Sequence, residues 1–511
     1  MNSPAFPAHR PGHNPFVEIT QTYRNLVILY FVFWRFLPDT VLIMRAEAGS
    51  ATVLGLTLLV QFALNGFALL PFMVRRFGGL PMGWLNPLAL ASVLEIVKTL
   101  IKSPSHVIEP FLIWFREPVR LQHELLTFWS LEAVQWVQLK VLAMGLLGVA
   151  AYLAAFYLFR FRSKPDKPII RTGPDVYFIA VYLVLFAAFI ALIALSGGLV
   201  QHLQALAGGR FGVREGTGLL LVAVGFMPFL LVIWYLMRPQ VIRNPIFLGM
   251  LLLALALQFA ADGSRSSVLI PLVVFAAGWM YHNGKVPAVA GFLGILLAIL
   301  ALAVLGSIRQ DAAQQEGSID LTALVTFDVE GFLRQNDEEI AGRNWRSGPV
   351  AVAAEIPRER DYLYGQTYIG AVLFWVPRSI WTDKPRGVGA YANALLFLKR
   401  NSVEGFRGAA YPVGGSAEAY WNFGWLGIMV AFGLFGILHK YVAIRVMEQP
   451  DDPEMIALLL LAIIMLNSPS TDSIVPFLQM VVMLKLLFTG LRLFEPRRQA
   501  HANPPARTIS R

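Results

Sequence analysis

Seven long apolar stretches without a single charge constrain this chain more than any other feature: 51–74, 141–159, 176–201, 216–237, 244–261, 286–308 and 419–438. A helix needs about 17–25 apolar residues to cross a bilayer, and each stretch has them. Five weaker candidates join them: 26–44, 84–101, 266–282, 455–468 and 473–491. Arg35 and Asp39 interrupt the first of these, Glu95 and Lys98 the second. The expectation is an all-α, polytopic integral membrane protein of twelve spans. Composition agrees. Hydrophobic residues make up 56% and charged residues 14%, against about 25% charged in soluble domains. That balance excludes a soluble multidomain chain and a disordered one. The chain has no Cys, which removes disulfides, thiolate nucleophiles and Cys-held metal centres.

Charge sets the orientation. Lys and Arg concentrate in short cytoplasmic loops. Here Arg75 and Arg76 follow the second span, and Arg160, Arg162, Lys164, Lys167 and Arg171 the fourth. Arg238 and Arg243 follow the sixth, Lys285 the eighth, Lys440 and Arg445 the tenth, and Arg492, Arg497 and Arg498 the last. Every even-numbered exit is basic, so both termini are expected in the cytoplasm, with no signal peptide. The division is a tail over 1–25, nine spans over 26–308, a large external loop over 309–418, three spans over 419–494 and a basic tail over 495–511.

Two external segments stand out. In the large loop, 309–361 carries net charge −5 and 362–418 carries +3, the latter against the topological bias. The loop also holds a ten-residue apolar run, Tyr368 to Pro377, with Arg378 directly after it. It is too short to span and suits a re-entrant or interfacial segment, or a small helix buried under the loop. Earlier, 102–138 mixes Trp114, Trp129 and Trp136 with charges, the composition of a helix lying in the headgroup plane; structural packing would account for it equally.

Several chemistries are excluded. No phosphate-binding P-loop, dinucleotide-binding glycine pattern or His-Glu-x-x-His zinc motif is present. None of the eight histidines lies in the large loop, so neither a Ser–His–Asp site nor a His zinc site fits there. Transferases that use paired acids in the first external loop are a poor match, because that loop is tiny and holds Glu47 alone. What remains are arginines, carboxylates and aromatics. Arg265 lies in Asp262-Gly-Ser-Arg265 between two spans, and Asp472 in the broken stretch Asn467-Ser-Pro-Ser-Thr-Asp472. Charges at a membrane face are functional candidates; an Asp262–Arg265 pair closing the turn is the plain alternative. Arginine forks match phosphate oxygens and stay charged, so several could stabilise a diphosphate leaving group without a metal.

The runs Tyr364-Gly-Gln-Thr-Tyr368-Ile-Gly, Val376-Pro-Arg378-Ser-Ile-Trp381-Thr-Asp-Lys384-Pro385 and Gly415-Ser-Ala-Glu418-Ala-Tyr420-Trp-Asn422-Phe-Gly424-Trp-Leu-Gly427, with Asp262-Gly-Ser-Arg265, resemble oligosaccharide repeat unit polymerases, the Wzy-type or O-antigen polymerases. The matched segments cover about 40 residues; nothing in the first 200 matches beyond hydropathy. The resemblance implies a multi-pass enzyme of the bacterial cytoplasmic membrane. It would transfer a growing glycan from undecaprenyl diphosphate to an incoming lipid-linked repeat unit at the periplasmic face.

On that basis Arg265, Arg378 and Lys384 would bind the diphosphate. Glu418 is the first choice of base for the acceptor hydroxyl and Asp472 the second. Tyr368, Trp381 and Tyr420 would stack on sugars. Asn422, Arg386 and Arg407 complete the substrate-binding candidates, the two arginines on charge alone. No metal or cofactor is expected. Expected partners are the lipid-linked oligosaccharide and the bilayer, with a chain-length regulator and a flippase as candidates and no nucleic acid. Two alternatives stay open. One is a ligase-like transferase, although the O-antigen ligases rely on a loop His that this chain lacks. The other is a transporter of lipid-linked oligosaccharides, although no internal repeat is visible.

Overall fold

The computed structural model describes residues 15–45, 50–102, 130–161, 173–208, 217–286, 348–376, 380–404, 406 and 410–494. The chain is a helical bundle. Among the described residues, seven helices are long and apolar enough to cross a membrane: α3 (Ala51–Met73), α5 (Leu131–Leu158), α6 (Asp175–Leu195), α8 (Gly218–Met237), α9 (Pro245–Asp262), α14 (Gly415–Glu448) and α16 (Thr471–Phe494). Between them run α1 (Gln21–Phe31), α2 (Leu37–Arg45), α4 (Pro87–Lys102), α7 (Leu199–Gly208), α10 (Arg265–Asn283), α11 (Gly348–Glu355), α12 (Gln366–Val372), α13 (Val388–Tyr391) and α15 (Pro453–Ile464). One two-stranded turn pairs Arg76–Phe77 with Leu80–Pro81.

Local chemistry sets many of the boundaries. Asn244 and Asp452 each cap a helix that begins with Pro, accepting from the amides of Ile246 and Glu454 at 2.9 Å. Gly263 and Gly284, both left-handed, close α9 and α10.

Of the twelve expected spans, six of the seven charge-free stretches and 473–491 coincide with these long helices. The seventh charge-free stretch, 286–308, lies almost wholly outside the described residues, as do 309–347 and most of 102–138. Two of the weaker candidates differ from expectation. The first, 26–44, is α1 and α2 joined through a wide turn at Val32–Phe36 that carries Arg35. The eleventh, 455–468, shortens to α15. Its twelve residues rise about 18 Å, less than the roughly 30 Å of a hydrocarbon core. The chain after it is irregular to Ser470, which is tolerated at membrane depth only where protein encloses it. Leu466, Pro469 and Ser470 are buried, whereas Asn467 is exposed.

Successive contacts fix the directions. Along α5 and α14, a Cβ at Gly148 would meet the Phe432 ring. Further along, Tyr152 Oη lies 2.9 Å from His439 Nδ1, and Lys440 Nζ donates to Tyr157 O at 3.1 Å. Both helices therefore run the same way. By contrast α6 opposes α8: Asp175 at the start of one accepts from Trp234 (2.8 Å) and pairs with Arg238 (2.6 Å) at the end of the other. The C-terminal end of α16 joins that same end, where Tyr177, near the start of α6, donates to Leu487 O at 3.0 Å; there Arg492 meets Glu454 at 2.9 Å. One end of the bundle thus gathers Arg238, Lys440 and Arg492. The other carries the described residues between 348 and 413, packed on the first half of α5 and the start of α14 through Met144, Val352, Ile356, Leu363 and Trp421.

Candidate functional site

Two interrupted helices meet at the end of the bundle that carries 348–413. The apolar run around 419–438 is not one continuous helix. It breaks at Phe423 (φ −143°, ψ 22°) and Gly424 (φ 63°, ψ −151°), a backbone conformation essentially reserved for glycine. The segment before α12 docks against the break: Leu363 N–H donates to Trp421 O at 2.9 Å, and Gly365 N–H to Asn422 Oδ1 at 3.0 Å. The second interruption is the stretch between α15 and α16. A Cβ on Gly415 would lie 2.3 Å from Ser468 Oγ and 2.8 Å from Pro469 Cδ, so glycine permits this close crossing.

At the crossing sits Glu418, fully enclosed. Its Oε1 accepts from Thr367 Oγ1 at 2.7 Å, and its Oε2 accepts the backbone N–H of Thr471 at 2.9 Å. Asn422, also fully enclosed, donates through Nδ2 to Thr367 Oγ1 and to Glu418 O, each at 2.9 Å. Thr471 Oγ1 accepts from Val388 N–H at 3.3 Å. These bonds tie together α12, α13, α14 and the first turn of α16. Glu418 serves the orphan amide at the N-terminus of α16, where a carboxylate is favoured by the helix dipole.

Asp472 follows Thr471 in that first turn, but it is exposed. A Cβ built on Gly387 would lie 3.7 Å from Asp472 Oδ1, which puts the Lys384–Gly387 segment beside this carboxylate. Tyr368 Oη donates to Pro469 O at 3.1 Å. Burial, with the Glu418 charge behind it, holds the Tyr368 phenol above its ordinary range, so it stays a donor.

Four residues expected from sequence, Glu418, Asn422, Asp472 and Tyr368, are therefore brought together. The others have different settings. Lys384 Nζ donates to Phe374 O and Val376 O, each at 3.0 Å, and closes the turn after α12. Arg386 donates to Phe406 O. Trp381 is half-buried. Tyr420 is buried, with Tyr362, Trp425 and the Lys140 ammonium against its ring, so its faces belong to packing. Arg265 opens α10, and its side chain lies outside the described residues, as do Arg378 and Arg407 entirely. Among the described residues no three His, Asp or Glu side chains gather as metal ligands.

Sequence reasoning missed three participants. Thr367 and Thr471 lie inside runs already singled out but carry no charge to mark them. Lys140 lies within α5; its Nζ donates to Ala353 O and Ile356 O, each at 2.9 Å, and clasps the C-terminal end of α11.

No family model, curated protein or solved structure matches the chain.

Proposed function

We propose that this chain is a membrane-embedded glycan polymerase of the bacterial cytoplasmic membrane, working on undecaprenyl-diphosphate-linked oligosaccharide repeat units. One observation carries the proposal. The runs beginning at Tyr364 and Gly415, the Lys384–Gly387 segment and Asp472 converge at one end of the bundle, around two carboxylates in different environments.

In this reading Asp472, exposed at a helix N-terminus, takes the proton of the acceptor hydroxyl. That oxygen bonds to the anomeric carbon of the donor, the bond from that carbon to diphosphate oxygen breaks, and undecaprenyl diphosphate leaves. Glu418, with both oxygens engaged, is a positioning residue that holds the first turn of α16 and hence Asp472. Arg265 and Arg378 offset the leaving charge, and Lys384 shapes the loop beside it. The full topology would have twelve spans, with 309–418 periplasmic.

A second reading, transport of the same lipid-linked units, is favoured by the two interrupted helices, a construction that lines substrate sites in transporters. Deletion of the chain in its host separates the two. A polymerase loss leaves single repeat units transferred outward but no polymer, whereas a transporter loss strands the units on the cytoplasmic face.

A further inference from the structure

The short helix α12 is built inside out. Its inward face presents Thr367, Gly370 and Ala371, all buried, with Thr367 spending its hydroxyl on Glu418. Its outward side presents Ile369 and Val372. Around it stand Tyr364, Trp375 and Ile380, and all five are between 50% and 78% exposed. A loop helix in water would bury the aliphatic and aromatic side chains and expose the hydroxyl; so large an apolar surface marks a contact.

Its surroundings say what it touches. A Cβ on Gly365 would lie 2.7 Å from Phe423 Cζ, so the Phe423 ring joins this face to α14. From there exposed apolar side chains continue down α14 at Leu426, Val430 and Leu434, one per turn of a helix long enough to span a bilayer. The two surfaces form one strip.

We propose that residues 364–376 and Ile380 are seated in the bilayer, in the leaflet at the site end of the bundle, with Ile369, Val372, Trp375 and Ile380 among lipid acyl chains. The occupant of this face is lipid, whatever reaction the site performs. One consequence follows from Thr367. Because the same helix holds Glu418 from its inner side, the membrane surface fixes the height of the hydrogen-bonded cluster. The exposed Asp472 is thereby held where the head of a membrane-borne substrate lies.

The absence of native Cys makes a direct test available. Single variants Ile369→Cys, Val372→Cys and Ile380→Cys of the full chain would carry an environment-sensitive fluorophore in phosphatidylcholine–phosphatidylglycerol vesicles. Ser402→Cys, at an exposed polar position, is the reference. Nitroxide on lipid acyl chains should quench the three labels several-fold more strongly than iodide supplied on both sides, and Ser402 should show the reverse. Iodide reaching all three sites would overturn the proposal. So would protection from both quenchers, which would mean a protein covers this face. Three independent positions guard against one variant misfolding, and the readout requires no catalytic activity.

Discussion

The backbone N–H of Thr471 donates to Glu418 Oε2 at 2.9 Å across 53 positions of sequence, joining the start of one helix to the broken half of another. The bond divides the work between two neighbouring carboxylates. Glu418 is enclosed and committed, and Asp472, one residue beyond the bond, is exposed.

Substitutions separate these roles. A Gln at 418 can offer its single carbonyl oxygen to Thr367 or to Thr471 N–H, not to both. One buried donor then loses its partner, at about 1–3 kcal/mol. Glu418→Gln should unfold at a lower temperature in detergent. Asp472→Asn removes a charge near a helix terminus, an effect of about 1 kcal/mol or less, and should make no polymer while still inserting. Near-native polymer from Asp472→Asn would remove it as the base. Unchanged stability of Glu418→Gln would return Glu418 to candidacy.

Gly424→Ala tests the helix break. The positive φ of 63° with ψ −151° excludes a Cβ at a strain of about 1–3 kcal/mol. Loss of thermal stability is expected, together with easier proteolysis of 348–413, because Leu363 and Gly365 dock on the residues just before the break. An Ala variant of native stability would mean that α14 can run straight.

Asp452 carries a pH prediction. Burial, outweighing its hydrogen bond from the Glu454 amide, raises its carboxyl above the ordinary value of 3.8. For an acid raised in the folded state, the stabilising contribution is fully present below the unfolded value and fades as pH climbs through the folded one. At neutral pH the buried charge is therefore unfavourable. Asp452→Asn keeps the cap oxygen, and should match or exceed the native unfolding temperature at pH 7 with a flatter acid dependence. Asp452→Ala loses the cap, at about 0.5–2 kcal/mol. Equal destabilisation by Asn and Ala would contradict this.

Topology is checked by impermeant thiol labelling of Ser402→Cys and Gln240→Cys in intact cells. Ser402 belongs to the segment at the site end of the bundle. Gln240 follows α8 at the basic end, and both are exposed. Labelling of Ser402 alone is expected; labelling of both would sink the assigned orientation.

Much of the bundle was legible because lipid contact leaves a one-dimensional trace. Charge-free runs became long helices, and the basic exits Arg238, Lys440 and Arg492 collected at one end. What escaped was structure inside those runs. Hydropathy averages over Phe423 and Gly424 and sees one helix where the backbone makes two. It likewise merges α15 with the irregular chain after it. In the site, Glu418, Asn422 and Asp472 were visible as polar residues at the edges of apolar runs. Their partners were not, because Thr471 acts through a backbone amide and Thr367 through an uncharged hydroxyl, and neither has a sequence signature. Tyr420 looked like a sugar platform, yet Tyr362, Trp425 and Lys140 from separate segments occupy its ring.

The most direct measurement of the central claim is repeat-unit joining by the purified chain in proteoliposomes supplied with undecaprenyl-diphosphate-linked oligosaccharide. Mass spectrometry would follow the lipid-linked products. Products of two and more units are expected, with one undecaprenyl diphosphate released per bond formed, and none from Asp472→Asn. Lipid-linked single units that stay single with the native protein, yet cross the bilayer, would contradict it in favour of transport.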